Sequence, residues 1–190
     1  MYDISQYYWG KAQRQDTARA NKAIREAQYE VPDMARQFSA VFGLEISEQQ
    51  TPAIYRLLNR SIHTIRLSAS KAKATYMRTR PYAYFNEPTL VPEDEEVLRT
   101  NGSYPSGHTV RGWGMALLLS EINPAAQDEL LKLGYEWGQS RVIAGYHWQS
   151  DVDAARMLAA ASLARLHSCQ DFLDDLSAAK KEFNKLKAKK

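Results

Sequence analysis

The 190-residue chain has one cysteine, Cys169, so no intrachain disulfide can form, and no zinc or iron–sulfur site built from several thiolates is available. One thiol leaves the redox compartment open. Long apolar runs are missing too. The longest candidate, residues 115–119, falls far short of the roughly 18 residues needed to span a bilayer, which excludes integral membrane insertion. The opening residues Met1-Tyr2-Asp3-Ile4-Ser5 lack the basic and apolar regions of a secretory leader, so the protein is cytosolic or its leader has been removed. No charge of one sign dominates. The formal net charge is +3, and residues 180–190 hold six lysines and one glutamate, a solvated helix end rather than a nucleic-acid arm. Strand alternation and internal repeats are absent.

What remains is 44% hydrophobic and 25% charged, the balance of one soluble globular domain that builds its core without staples. Residues 3–29, rich in Ala, Gln, Arg, Lys and Glu, read as one helix with a weakly apolar face on the outside. Residues 32–41 read as a short helix stopped by Gly43. Thr51-Pro52 reads as an N-cap and first helical position, followed by an inward stripe of Ile54, Leu57, Leu58, Ile62 and Ile65. That helix continues through Lys73 and ends before Pro81. Residues 80–105 read as one long loop, and loops of that length in a small domain are commonly functional. A helix follows Pro105-Ser106-Gly107-His108, a second opens at Asn123-Pro124, and an alanine-rich one spans about 147–167. The expected fold is all-α: a single-domain helical bundle over residues 1–190. It divides into a peripheral N-terminal helix (about 3–29), a catalytic core (about 42–170) and a basic C-terminal helix and tail (about 170–190).

Three short blocks stand out against this background. Lys73 is followed after six residues by Arg80-Pro81. Next comes Pro105-Ser106-Gly107-His108. Last is Ser140-Arg141, with five residues before His147 and three more before Asp151. Each alone has a bland reading: solvated helix charges, a capped turn, a structural i,i+4 hydrogen bond. Their joint occurrence in this order does not. His63 and His167 belong to no block and read as structural. Trp113, Trp137 and Trp148 read as core or site-wall aromatics.

With these blocks, and with Asn101-Gly102-Ser103-Tyr104 before the central one, the sequence resembles the class A bacterial non-specific acid phosphatases. These group with lipid phosphate phosphatases and vanadium haloperoxidases. Residues 119–124 and 145–153 carry the same resemblance, which runs from about 42 to 183. It implies phosphate contacts from Lys73, Arg80, Ser106, Gly107 and Arg141. It also implies proton donation by His108, nucleophilic attack by His147 and support of that histidine by Asp151. It further implies phosphate monoester substrates, possible phosphotransfer to alcohols, no cofactor or metal, no nucleic-acid or membrane partner, export to the periplasm and a homo-oligomer.

Elementary chemistry runs parallel to these roles. A transferring phosphoryl group spreads negative charge over three oxygens, so positioned cations and a helix N-terminus stabilise it. Neutral histidine attacks phosphorus when a carboxylate holds the proton on its other nitrogen. Cations repel a metal and attract a phosphate. The acidic run Glu93-Asp94-Glu95-Glu96 reads as a solvated face. Halide oxidation with bound vanadate is the competing activity, since vanadate suits the same cations, but the residues around the blocks are those of the acid phosphatases. A helical binding module using the basic ends would leave all three blocks unexplained.

Overall fold

Polar capping residues inside helix-forming stretches set the first boundaries. In the computed structural model, which describes residues 1–189, the expected helix over 3–29 is two: α1 (Tyr2–Gln13) and α2 (Thr17–Arg25). Asp16 makes the break, its carboxylate accepting from the amides of Ala18 and Arg19 at 2.9 and 3.2 Å. α1 is tied down rather than loose. Tyr7 is buried and stacks on Phe85 at 4.3 Å, and a Cβ on Gly10 would lie 3.0 Å from the Val142 carbonyl oxygen.

α3 (Val31–Phe42) ends at Gly43, whose φ of 87° is the left-handed stop expected of it. α4 (Pro52–Leu67) buries Ile54, Leu57, Leu58, Ile62 and Ile65 as its stripe predicts. Its cap differs from expectation. The Thr51 hydroxyl is taken up with Ser47 and Glu45, and the amides of Ala53 and Ile54 donate instead to Glu182 at 3.1 and 2.9 Å. A carboxylate there also complements the positive end of the helix.

The helix expected to run through Lys73 breaks at Ser68-Ala69, and Lys73 sits on α5 (Ser70–Tyr76). The expected long loop is also partly helical. It holds α6 (Pro81–Phe85), a 3-10 turn (Pro92–Asp94) and α7 (Glu95–Arg99). Its prolines start turns of helix rather than only ending them, because their fixed φ suits the first helical position.

α8 (Gly107–Ile122) forms the centre of the bundle and packs on α4, on α9 (Gln127–Ile143) and on α10 (Gln149–Leu166). α11 (Gln170–Lys187) closes against α4; Lys190, the end of the expected basic tail, lies outside the described residues. α10 begins at Gln149, so His147 precedes it. The α8–α9 crossing is close: a Cβ on Gly112 would come within 2.5 Å of the Trp137 ring. That approach lets Trp137 reach the histidine at the start of α8. Among the described residues there is no strand, and no helix is long and apolar enough to cross a membrane.

Candidate active site

The start of α8, the end of α9, α5, the α6–α7 segment and residues 27–29 surround a cavity of about 220 Å³. Its wall includes Lys73, Arg80, Gly107, His108, Arg141 and His147, six of the eight residues singled out in the sequence. Ser106 and Asp151 stand behind it. Ser106 is the N-cap of α8. Its hydroxyl accepts from the Thr109 amide and hydroxyl, and its own amide donates to the Asp151 carbonyl oxygen at 3.0 Å, joining two sequence blocks.

The cations are held in different ways. Arg80 precedes Pro81 and is therefore extended. Its Nε donates to the Leu98 and Asn101 carbonyls, both at 3.1 Å, and its Nη1 to Tyr146 O at 3.2 Å. Backbone oxygens thus fix the guanidinium without neutralising it. Lys73 Nζ donates to Gly102 O at 2.7 Å. Gly102 lies so tightly on α5 that a Cβ would sit 2.5 Å from Lys73 O, a backbone contact that no side-chain motion relieves. Burial, then the charge of Arg80, brings the Lys73 ammonium down to about 7.

Arg141 is the least satisfied. It is 4% exposed, its guanidinium covers the Tyr146 ring at 4.1 Å, and its buried Nε and Nη1 have no hydrogen-bond partner among the described residues. Burial draws it down to about 10, and nearby Arg80 adds to the shift. A buried charge with open donors is costly, a cost that an anion in the cavity would remove.

His147 faces the cavity from the turn before α10. Its Nδ1 lies 3.2 Å from Ser103 Oγ and 3.4 Å from Asp151 Oδ2, and its Nε2 lies 3.2 Å from Arg80 Nη1. The pairing with Asp151 was expected from a shared helix face. It arises instead because Asp151, in the first turn of α10, folds back over the helix start and accepts from the Trp148 amide at 2.9 Å. Burial, then the charges of Arg80 and Lys73, hold the imidazole well below its ordinary pKa against the pull of Asp151, so it is neutral at pH 7. With Nδ1–H directed at Asp151 and Ser103, the lone pair is on Nε2, where it accepts from Arg80 Nη1. Burial pushes Asp151 up, but hydrogen bonds from His147 and Ser103 and the charge of Arg78 outweigh it and bring the carboxyl down to about 2.

His108 stacks on Trp137 at 5.7 Å, meets Tyr29 edge-on at 5.9 Å and hydrogen-bonds the Glu26 backbone. Among the described residues its buried Nε2 has no hydrogen-bond partner. Burial and the charge of Arg141 lower its pKa well below the usual histidine range.

Sequence reading missed the residues that support these. Ser103 Oγ donates to Asp151 Oδ2 at 2.5 Å, and Arg78 Nη1 to Asp151 Oδ1 at 2.6 Å. Arg78 Nη2 in turn reaches Asp3 Oδ2 at 2.7 Å, and the Ser150 amide and hydroxyl also donate to Asp3. α1 therefore anchors the carboxylate behind His147. Buried Glu26 accepts from Ser140 Oγ, linking α2 to α9 beside Arg141. Ser103 lies inside a run already singled out; Asp3 carries no local signal. The acidic run splits: Glu95 accepts from the Thr89 amide and Asp94 lines the cavity. His63 is exposed, and His167 Nε2 pairs with Glu121 at 3.0 Å, joining α10 to α8. Among the described residues, no three His, Cys, Asp or Glu side chains gather as a metal site.

Residues 56–174 match the PAP2 superfamily, a span that holds every wall residue from Lys73 to His147 but not Asp3 or Glu26. The chain is 48% identical over 186 residues to a non-specific acid phosphatase of Providencia stuartii, covering 97% of this chain and 75% of that one. It is 44% identical over 185 residues to a non-specific acid phosphatase of Salmonella typhimurium, covering 96% and 73%. To one of Salmonella typhi it is 42% identical over 184 residues, again covering 96% and 73%. The chain belongs to the PAP2 superfamily and, within it, to the class A bacterial non-specific acid phosphatases.

Proposed function

We propose that the chain hydrolyses phosphate monoesters through a phosphohistidine at His147, without a metal ion. The observation that carries this reading is the buried His147, which lines the cavity beside Lys73, Arg80 and Arg141 with its Nδ1 against Asp151 and its Nε2 against Arg80 Nη1; burial and the charges of Arg80 and Lys73 favour its neutral form. In the first step the Nε2 lone pair bonds to phosphorus and the ester P–O bond breaks. The departing oxygen takes the proton from His108 Nε2. In the second, His108 accepts a proton from water, the hydroxyl bonds to phosphorus and the P–N bond breaks, restoring His147.

Arg141 offers its open Nε and Nη1 to the equatorial oxygens, Arg80 its remaining Nη2 and Lys73 a point charge. The Ser106 amide is already engaged, so the amides of Gly107 and His108 supply the helix N-terminus, with the Ser106 hydroxyl still able to donate. Asp151, neutralised on its far side by Arg78, keeps the proton on Nδ1. An alcohol in place of water would receive the phosphoryl group by the same second step, which makes phosphotransfer a natural side activity. The named relatives support the acid phosphatase reading, and we extend it to a periplasmic, homo-oligomeric enzyme on the same resemblance.

The test is to quench turnover of a labelled phosphate ester in denaturing alkali, where a phosphohistidine survives, and to locate the label. We expect it on His147; label on any other residue sinks the mechanism. Activity should also withstand EDTA and be blocked by vanadate or molybdate, which hold the transferring group's geometry on fixed cations. Loss on chelation, with recovery on adding a divalent ion, would overturn the metal-free reading.

A further inference from the structure

The cavity carries more positive charge than one phosphoryl group requires. Beyond Lys73, Arg80 and Arg141, its rim includes Arg66, in the last turn of α4, and Arg111, on α8. Arg111 is partly engaged. It donates to Tyr29 O at 2.8 Å, lies 3.6 Å from Glu30 and covers the Tyr29 ring at 4.5 Å. Arg66 is exposed and, among the described residues, its guanidinium has no hydrogen bond or ion pair, yet its charge acts on both Lys73 and Arg111.

The negative end of α4 favours some cation in its last turn, which accounts for a basic residue there. It does not account for an arginine, unpaired among the described residues, placed where it repels both Lys73 and Arg111 on the same wall. Asp94, the carboxylate lining the cavity, acts instead on Arg141 and Tyr146. The mouth is therefore polarised, with cations on the α4–α8 side and the acid beside α7. An anion entering with the substrate would relieve the repulsion on the cationic side, and it would have to be carried outside the phosphoryl group.

We propose that Arg66, with Arg111 beside it, forms a second anion subsite at the cavity mouth that takes a carboxylate or second phosphate on the substrate's leaving group. The favoured substrates are then phosphorylated hydroxy acids and bisphosphates rather than esters of neutral alcohols. This rests on the phosphomonoesterase reading above and names the substrate class within it.

Two matched pairs test it: 3-phosphoglycerate against glycerol 3-phosphate, and propanediol bisphosphate against propanediol monophosphate. At low ionic strength the wild type should show a KM roughly three- to tenfold lower for the doubly anionic member, as expected for charge-assisted contacts at an exposed site. The contrast should shrink as salt is raised. Arg66→Gln should erase most of it through KM rather than kcat, and Arg66→Lys should keep much of it. Equal KM within both pairs for the wild type overturns the subsite. So does an Arg66→Gln variant whose KM rises alike for both members, since Arg66 would then only draw in any anion. If neither member of either pair releases phosphate, the phosphatase reading fails and the subsite with it.

Discussion

His147→Ala is expected to abolish turnover of every phosphate ester, whereas His108→Ala is expected to discriminate among them. Without the His147 Nε2 no covalent intermediate can form, and nothing else on the cavity wall offers a neutral nucleophile backed by a carboxylate. In the phosphorylation step, His108 is expected to matter only where the leaving oxygen needs a proton. An aryl oxide with electron-withdrawing substituents departs unaided, while an alkoxide does not, so general-acid help of about 10²–10⁴-fold is lost mainly with alkyl esters. The burst of released alcohol or phenol is the quantity to follow, because His108 also serves the hydrolytic step and steady-state turnover mixes the two.

The pH dependence carries a second signature of the same pair. Burial and neighbouring cations lower both histidines, so His147 is expected to stay unprotonated into mild acid and His108 to hold its proton only in acid. A bound phosphate dianion opposes Arg141 and favours protonated His108, so the phosphorylation rate with alkyl esters should fall as pH rises through the His108 pKa. In His108→Ala with an activated aryl ester that fall should vanish. Equal losses of burst rate for aryl and alkyl esters would refute the role given to His108, and residual turnover by His147→Ala with its fold intact would refute the nucleophile.

How much of this was legible in the chain depends on whether a residue acts through its neighbours in sequence or in space. The stripe from Ile54 to Ile65 and the stop at Gly43 follow from helical periodicity and left-handed geometry, both local properties. Thr51 and Pro52 stand at the N-cap and first position of α4 as read, but the capping hydrogen bonds go to Glu182, about 130 residues away, which no local pattern announces. Asp16 was passed over inside a stretch of strong helix formers, although an Asp-Thr start is a local signal. In the site, the wall residues sit in short blocks and could be found. Arg78 and Asp3 could not, because their role is a chain of contacts from α1 through the α5–α6 connection to Asp151. The same distance effect hid Glu26 and Tyr29, which bring the end of α2 against His108. A helix that looked peripheral in sequence thus holds part of the site's support.

Arg141→Met should lower turnover by roughly a hundredfold or more while leaving the unliganded fold as stable as before, or more so. The two halves of that expectation share one cause. Among the described residues the buried Nε and Nη1 have no acceptor, so without an anion the fold bears the cost of an uncompensated charge. Replacing such a group with an apolar side chain of similar length removes that cost, against a smaller loss from its contact with the Tyr146 ring. Turnover moves the other way, because those two donors are free for the oxygens of the transferring group, and losing one such donor costs about 10²–10³ in kcat. Thermal unfolding with and without inorganic phosphate separates the effects. Phosphate should raise the wild-type Tm markedly and the variant's only slightly, since a ligand stabilises in proportion to its affinity for the folded state. A variant that melts several degrees lower without phosphate would make Arg141 a structural residue. One that keeps near wild-type turnover would mean that the guanidinium does not face the phosphoryl group.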